Sequence, residues 1–209
     1  MAISIFFGLC GGSTIFSRNN LARAIKTMIA AAFITLGTYL AAKLHILSEY
    51  DVISFGVLHM LSFATLIVAA VYGLTRLSKK RGDLIFFIVS AVLAGLVFLA
   101  DHLLTTADLT PDPWLFYLHR GFARRAWTGG DYFPMIPYLG YVFAGAAVIT
   151  LFYGGGKSLL PKLDGKWNLP FRYVGRHTLV VVVVHQIVIM LLLACITAAF
   201  VDKGNFVIF

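Results

Sequence analysis

The stretch LIFFIVSAVLAGLVFLADHLL, residues 84–104, carries no charged side chain before Asp101. A helix needs about 20 mainly apolar residues to cross the hydrocarbon of a bilayer, and this run is long enough. Its uniform apolarity favours a helix over a membrane β-strand, because the strands of membrane barrels alternate polar and apolar residues. The stretch therefore predicts a transmembrane helix.

Further apolar runs lie on both sides of this stretch. The residues are 60% hydrophobic and 12% charged, with a mean hydropathy of +0.88, whereas soluble domains carry roughly 25% charged residues. No polar segment is long enough for a separate soluble domain. We predict one membrane domain, residues 1–209, folded as an all-α integral membrane bundle of about six transmembrane helices. The candidate spans are 2–16, 27–42, 52–75, 84–104, 132–153 and 177–201.

Charges between the spans predict an orientation. Segments 17–26, 76–83 and 154–176 hold twelve basic and two acidic residues, and the remaining segments hold five basic and seven acidic residues. Cytoplasmic loops carry the excess of Lys and Arg, so we expect a multi-pass protein of the cell membrane with both termini outside. Because the basic residues fall between apolar runs, the net charge of +8 indicates membrane lipid rather than nucleic acid as a partner.

Two local patterns add detail to this bundle. The loop 105–131 mixes aromatic and basic residues, which predicts a short helix lying in the membrane interface. Gly8 with Gly12, and Ala91 with Gly95, have the spacing of small residues that lets helices approach closely in lipid.

Two histidines stand out because they fall inside predicted spans. His59 lies seven residues after Val52, and His185 lies nine residues after Arg176. At 1.5 Å per residue, both imidazoles are expected within a few ångströms of the bilayer midplane, where they meet if their helices are neighbours. An ionisable residue inside a span is a candidate for function, and the alternative is a hydrogen bond to a neighbouring helix.

A second group of candidates lies at the outer ends of the predicted spans. Asp131 precedes the fifth span, where capping by the helix dipole alone explains it, or it joins Asp101 and His102 in an outward-facing polar site. Gln186 follows His185 and points to a different contact. Together the expected substrate-side residues are Asp101, His102, Tyr132, Pro134 and Gln186.

On the predicted inner side, basic residues follow the third span and precede the sixth. They set the orientation and contact anionic lipid, or they attract the phosphates of a nucleotide-like donor. The residues concerned are Arg76, Lys80, Arg172, Arg176 and His177. The sequence lacks metal-ligand spacings, so no metal is expected.

Three segments carry a resemblance to a known family. FGVLHMLSFATLIVAA (residues 55–70), DYFPMIPYLGYVFAG (131–145) and VGRHTLVVVVVHQIVI (174–189) look like signature segments of the bacterial and archaeal family related to the catalytic domain of heparan-alpha-glucosaminide N-acetyltransferase. The resemblance implies a membrane acyltransferase that takes an acyl group from an acyl-CoA-type donor such as acetyl-CoA on the cytoplasmic side. A carbohydrate-like acceptor outside would receive it.

Carried onto this sequence, the resemblance makes His59, His185 and Asp131 the candidate catalytic residues, with His59 or His185 acting as general base or relay. Members usually open with a further helix that carries a His, whereas this chain starts in what resembles their second helix. We therefore expect that the first helix is lacking, and that the chain as given is inactive if that helix supplies the acyl-accepting His. The alternatives are a small proton-coupled transporter and a non-catalytic membrane partner subunit.

Overall fold

In a computed structural model, the chain divides into two compact units, Met1–Lys157 and Ser158–Phe209. The structure describes residues 2–44, 48, 52–78, 81–128 and 131–153, together with the single helical positions 184, 188, 189 and 192. All the elements below belong to the first unit. The predicted sixth span, 177–201, lies outside the described residues except for those four positions.

The described residues are helical and contain no strand, which confirms the predicted all-α class. Four helices are long and apolar enough to cross a membrane, and α1, with 15 residues, is shorter. With α1, five described helices compare with the six predicted spans, and the remaining helical elements are short. They are α1 (Ala2–Phe16), α2 (Asn20–Lys43), α3 (Val57–Thr75), α4 (Gly82–Thr106), α5 (Arg125–Thr128) and α6 (Met135–Tyr153), with a 3₁₀ turn at Arg120–Phe122.

Helix α2 begins earlier than predicted because Asn19 caps its first turn and the charged side chain of Arg23 is hydrogen-bonded. The side chain of Asn19 accepts a hydrogen bond from the Ala22 N–H at 2.9 Å, as an N-cap residue does. The guanidinium of Arg23 donates to the hydroxyls of Ser13 at 2.9 Å and Thr14 at 3.1 Å. Polar partners on α1 therefore let α2 start at Asn20 instead of Thr27.

Helix α6 packs between α1 and α4, and α2 packs on α3. Glycines make the α1–α6 contact close: a methyl group on Gly145 would overlap the backbone of Gly8, and one on Gly11 would overlap that of Val142. This confirms the predicted role of Gly8. Gly95, by contrast, has no neighbour within 4 Å among the described residues, so the step from Ala91 to Gly95 marks no contact there.

The helix ends form two chemically different ends of this unit. One end gathers the start of α3, the last turns of α4, the loop 107–134 and the start of α6; we call it the capped end. The other end carries five of the described basic residues, Arg18, Arg23, Lys26, Arg76 and Arg81, with one acid, Asp83; we call it the cationic end. Phe7, Met60, Phe86 and Phe143 are fully or almost fully buried between the two.

Candidate functional site

Asp131 joins two elements at the capped end. Its Oδ2 accepts a hydrogen bond from the N–H of Val57, the first residue of α3, at 3.2 Å. A side chain on Gly56 would overlap the same oxygen, so glycine is what allows the carboxylate to come this close. A carboxylate at a helix N-terminus is favoured by the helix dipole. Asp131 therefore caps α3, and the expectation that it caps its own helix, α6, is wrong because α6 starts only at Met135.

His59 lies in the first turn of α3, beside this carboxylate. The backbone N–H of Gly56 donates to its Nδ1 at 3.3 Å, and its ring stacks on Phe55 with the ring centroids 5.7 Å apart. The prediction counted seven helical residues from Val52 to His59, whereas α3 begins at Val57, so His59 is the third residue of the helix. Residues 52–56 are not helical, and Ile53 is hydrogen-bonded to Thr35 and Thr38 of α2.

Burial dominates the electrostatics of Asp131. Removal from water raises the pKa of the Asp131 carboxyl above its ordinary value, because burial disfavours the charged form. The hydrogen bond from the Val57 N–H and the nearby His59 act in the opposite direction, and they are the smaller effects. The site thus holds a carboxyl group that takes up a proton more readily than an exposed aspartate.

An open groove lies beside this pair, between α2 and the residues that lead into α3. Its volume is about 490 Å³, within the range of small-molecule sites, roughly 300–1,000 Å³. Apolar side chains form most of its wall, and His59 is its one imidazole. The lining residues are Ala32, Thr35, Leu36, Tyr39, Val52, Ser54 and His59.

A second histidine at the capped end, His119, was missed by the sequence analysis. Its side chain is 1% exposed, and Asp101 of α4 lies 3.2 Å from its Nε2. Its Nδ1 accepts a hydrogen bond from the Gly121 N–H at 3.1 Å, so Nε2 carries the proton that is donated to Asp101. With both nitrogens paired, His119 holds the loop to α4. The one signal in the sequence was Asp101 itself, an acid at the end of a span that requires a partner.

The expected cluster of Asp101, His102 and Asp131 does not form as such. Asp101 pairs with His119, Asp131 pairs with the start of α3, and the side chain of His102 is exposed. Each acid is therefore tied to a different part of the capped end.

The loop between α4 and α6 is packed down onto the bundle. Phe116 is 5% exposed, the Tyr132 hydroxyl donates to the Phe116 carbonyl, and Met135 N–H donates to the Tyr117 carbonyl at 2.8 Å. Burial raises the pKa of Tyr132 to about 12, and Pro134 is buried. The predicted helix of this loop is present only as the 3₁₀ turn and the single turn α5, and the carbonyls of Tyr117 and Leu118 accept hydrogen bonds from the start of α6 instead.

At the cationic end, Arg76 is exposed. Its guanidinium lies 3.8 Å from the Asp83 carboxylate and over the ring of Tyr72, 5.1 Å from the centroid. The other expected donor-binding residues lie outside the described residues, as do two expected site residues of the last span: Lys80, Arg172, Arg176 and His177, then His185 and Gln186. Among the described residues, no group of three or more His, Cys, Asp or Glu side chains is placed to hold a metal.

Four helices of this bundle are able to cross a membrane, and a carboxylate and an imidazole lie together at one of its ends. These features define a multi-pass membrane protein with a polar site. Its family follows from the sequence. The model of the heparan-alpha-glucosaminide N-acetyltransferase catalytic domain matches residues 1–187, which is most of the 209-residue chain, so the chain belongs to this acyltransferase family. No curated protein and no solved structure matches the chain.

Proposed function

We propose that this protein is a membrane acyltransferase of the cell membrane. It takes an acyl group from an acyl-CoA-type thioester, in the first instance acetyl-CoA, and transfers it to a carbohydrate-like acceptor. The donor binds from the cytoplasm at the cationic end, and the acceptor reaches the capped end from outside. Family membership supports the acyl transfer, and the different charges of the two ends support the direction.

The observation that carries the proposal is the contact between Asp131 and the first turn of α3. This contact places a carboxyl group next to the imidazole of His59, beside an open groove, in a unit whose long helices are mainly apolar. Such a concentration of polar groups needs a reason in a membrane bundle. A site for acyl transfer gives one, and His185 is the proposed further member.

The reaction balances without a redox partner. The amine or hydroxyl of the acceptor attacks the carbonyl carbon of the thioester, the new C–N or C–O bond forms, and the C–S bond breaks. The proton that the acceptor loses ends on the departing sulfur, which leaves as the free thiol. The protein supplies positioning and electrostatic stabilisation for this step.

Arg76 is suited to the donor phosphates. Its side chain is exposed, and its ion pair with Asp83 at 3.8 Å is of the surface type that contributes little, about 0–1 kcal/mol. A phosphate can therefore replace Asp83 as its partner. We propose that Lys80, Arg172, Arg176 and His177 act with Arg76 in the same way.

The test is acyl transfer by the purified full chain in lipid vesicles. Radiolabelled acetyl-CoA is supplied with an oligosaccharide that ends in glucosamine, and labelled sugar is measured. We expect Asp131→Ala to lower kcat by about tenfold or more, equivalent to about 1.4 kcal/mol in the barrier. Asp108→Asn, an exposed acid of the same end, is the control and retains activity. Absence of labelled sugar with the wild-type chain overturns the proposal, as does solute uptake without any donor.

A further inference from the structure

The hydrogen bond to His59 decides which of its nitrogens carries the proton. A neutral imidazole has one N–H and one lone pair. The lone pair of Nδ1 accepts the hydrogen bond from the Gly56 N–H at 3.3 Å, so the proton of the neutral ring is on Nε2. In the part of the chain that the structure describes, Nε2 has no hydrogen-bond partner, and His59 lines the open groove. The ring therefore offers this groove a hydrogen-bond donor and no lone pair.

The first turn of α3 holds the ring in this state. Asp131 binds the Val57 N–H at 3.2 Å, which fixes the backbone that donates to Nδ1, and Phe55 stacks on the ring. A general base would need its lone pair directed at the reacting group. To act as one, His59 would have to break the hydrogen bond at the start of its own helix.

The groove itself has the chemistry of an acyl site. Ala32, Leu36 and Val52 give it apolar wall, and its volume is about 490 Å³. The facing wall is fixed, because the Thr35 hydroxyl donates to the Ile53 carbonyl at 2.8 Å. Its other side-chain polar groups are hydroxyls, those of Thr35, Tyr39 and Ser54. A mainly apolar groove with one side-chain N–H donor fits a carbonyl oxygen attached to a short hydrocarbon better than it fits a polyhydroxylated sugar.

We propose that this groove holds the acyl group during transfer, and that His59 donates its Nε2–H to the acyl carbonyl oxygen and keeps that proton throughout. As the acceptor attacks the carbonyl carbon, this oxygen gains negative charge, and a preplaced donor stabilises it. The acceptor's proton still ends on the sulfur. Asp131 is then a positioning residue that acts through the start of α3. The inference rests on the proposed acyl transfer for the identity of the ligand.

Two substitutions separate a donor from a proton acceptor at position 59. Gln and Glu both suit the third position of a helix, where their side-chain oxygen accepts the hydrogen bond from the N-cap N–H. His59→Gln also offers an amide N–H to the groove, whereas His59→Glu at neutral pH offers none. We expect His59→Gln to keep kcat within about tenfold and His59→Glu to lose about 100-fold or more, the size reported for loss of an oxyanion donor. The reverse order overturns the proposal.

A second measurement does not depend on turnover. In protein labelled with ¹⁵N-histidine and held in bicelles, the His59 resonances are assigned by their loss in His59→Gln, and long-range ¹H–¹⁵N correlations identify the protonated nitrogen. We expect protonated Nε2 and unprotonated Nδ1; protonated Nδ1 overturns the inference. If the wild-type chain transfers no acyl group but shows this tautomer, the proposed function fails and the donor at the groove remains.

The occupant of the groove is tested by its size. Ala32→Leu fills the groove from α2, so we expect it to raise the preference for acetyl-CoA over butyryl-CoA several-fold. Ala91→Leu is the matched control, because Ala91 is an exposed alanine of α4 outside the groove. An unchanged preference in Ala32→Leu contradicts the assignment of the groove to the acyl group.

Discussion

At the scale of single residues, Asp131 is held by two opposing effects. The N-terminus of α3 favours its charged form through the Val57 N–H, and burial favours its neutral form. Burial is the larger of the two, so the pKa of the Asp131 carboxyl is raised. A group whose native pKa exceeds its unfolded value stabilises the fold below the unfolded pKa and loses that contribution as pH rises through the native pKa.

This sign gives a pH-dependent prediction for Asp131→Asn. The amide resembles the neutral acid at every pH, whereas the wild-type carboxyl ionises above its raised pKa. We expect the Tm of the variant, relative to the wild type in the same detergent, to increase as pH rises from about 4, near the ordinary aspartate pKa, to about 7. A constant difference in Tm over this range would show that Asp131 contributes nothing to the pH dependence.

His119 gives a second prediction, of stability rather than chemistry. His119→Ala leaves the Gly121 N–H and the Asp101 carboxylate without their partner, and an unpaired buried polar group costs about 1–3 kcal/mol. We expect a loss of about 2–4 kcal/mol in the free energy of unfolding, measured by thermal unfolding in detergent. The control is His102→Ala, whose exposed side chain predicts a change within about 0.5 kcal/mol. Equal losses in the free energy of unfolding for the two variants would show that the pairing of His119 does not stabilise the fold.

The sequence identified the acids of the capped end but not their partners. Asp131 binds a residue 74 positions away, and Asp101 binds one 18 positions away. The hydropathy of a span indicates that an acid at its end needs a partner, and it contains no information on which loop or helix supplies one. His59 was found because it lies inside an apolar run, and its place in the helix differs from the prediction because α3 begins at Val57, later than the apolar run suggests.

At the scale of the helices, apolar length predicted which segments are helical, and local hydrogen bonds decided where they begin. Helix α1 has the predicted limits, 2–16. Helix α2 starts earlier because Asn19 caps it and α1 pairs with Arg23, and neither effect contributes to hydropathy. Helix α6 starts later, at Met135, where the N–H groups of Met135 and Ile136 are paired with Tyr117 and Leu118 of the preceding loop.

The close contact of α1 with α6 predicts a specific sensitivity to glycine substitution. Gly145→Ala places a methyl group against the Gly8 backbone, and overpacking of this kind costs about 1–3 kcal/mol. We expect a lower Tm in detergent. Gly95→Ala is the control, because its methyl group meets nothing among the described residues and alanine favours the helix by up to about 1 kcal/mol. A Gly145→Ala chain as stable as the control would contradict the close approach.

At the scale of the whole unit, the two ends are specialised in different ways. At the capped end, two acids are used internally, in the contacts of Asp131 with α3 and of Asp101 with His119, while Asp108 stays exposed. The cationic end leaves Arg76 at the surface, with a long ion pair to Asp83 and the ring of Tyr72 as its partners. Charge counting along the sequence predicts two different ends from the order of the spans, and it could not separate a paired charge from a free one.

The orientation of these ends is tested by cysteine labelling in intact cells. In a chain with Cys10→Ser and Cys195→Ser, a single cysteine is placed at exposed Thr110, at the capped end, or at exposed Ser78, at the cationic end. The positive-inside rule predicts that a membrane-impermeant maleimide labels Thr110→Cys in intact cells and Ser78→Cys only after the membrane is permeabilised. The opposite pattern would place the cationic end outside, where no cytoplasmic acyl-CoA can reach Arg76. That pattern would overturn the proposed direction of transfer but leave the tautomer of His59 unchanged, because the tautomer depends on the Gly56 hydrogen bond.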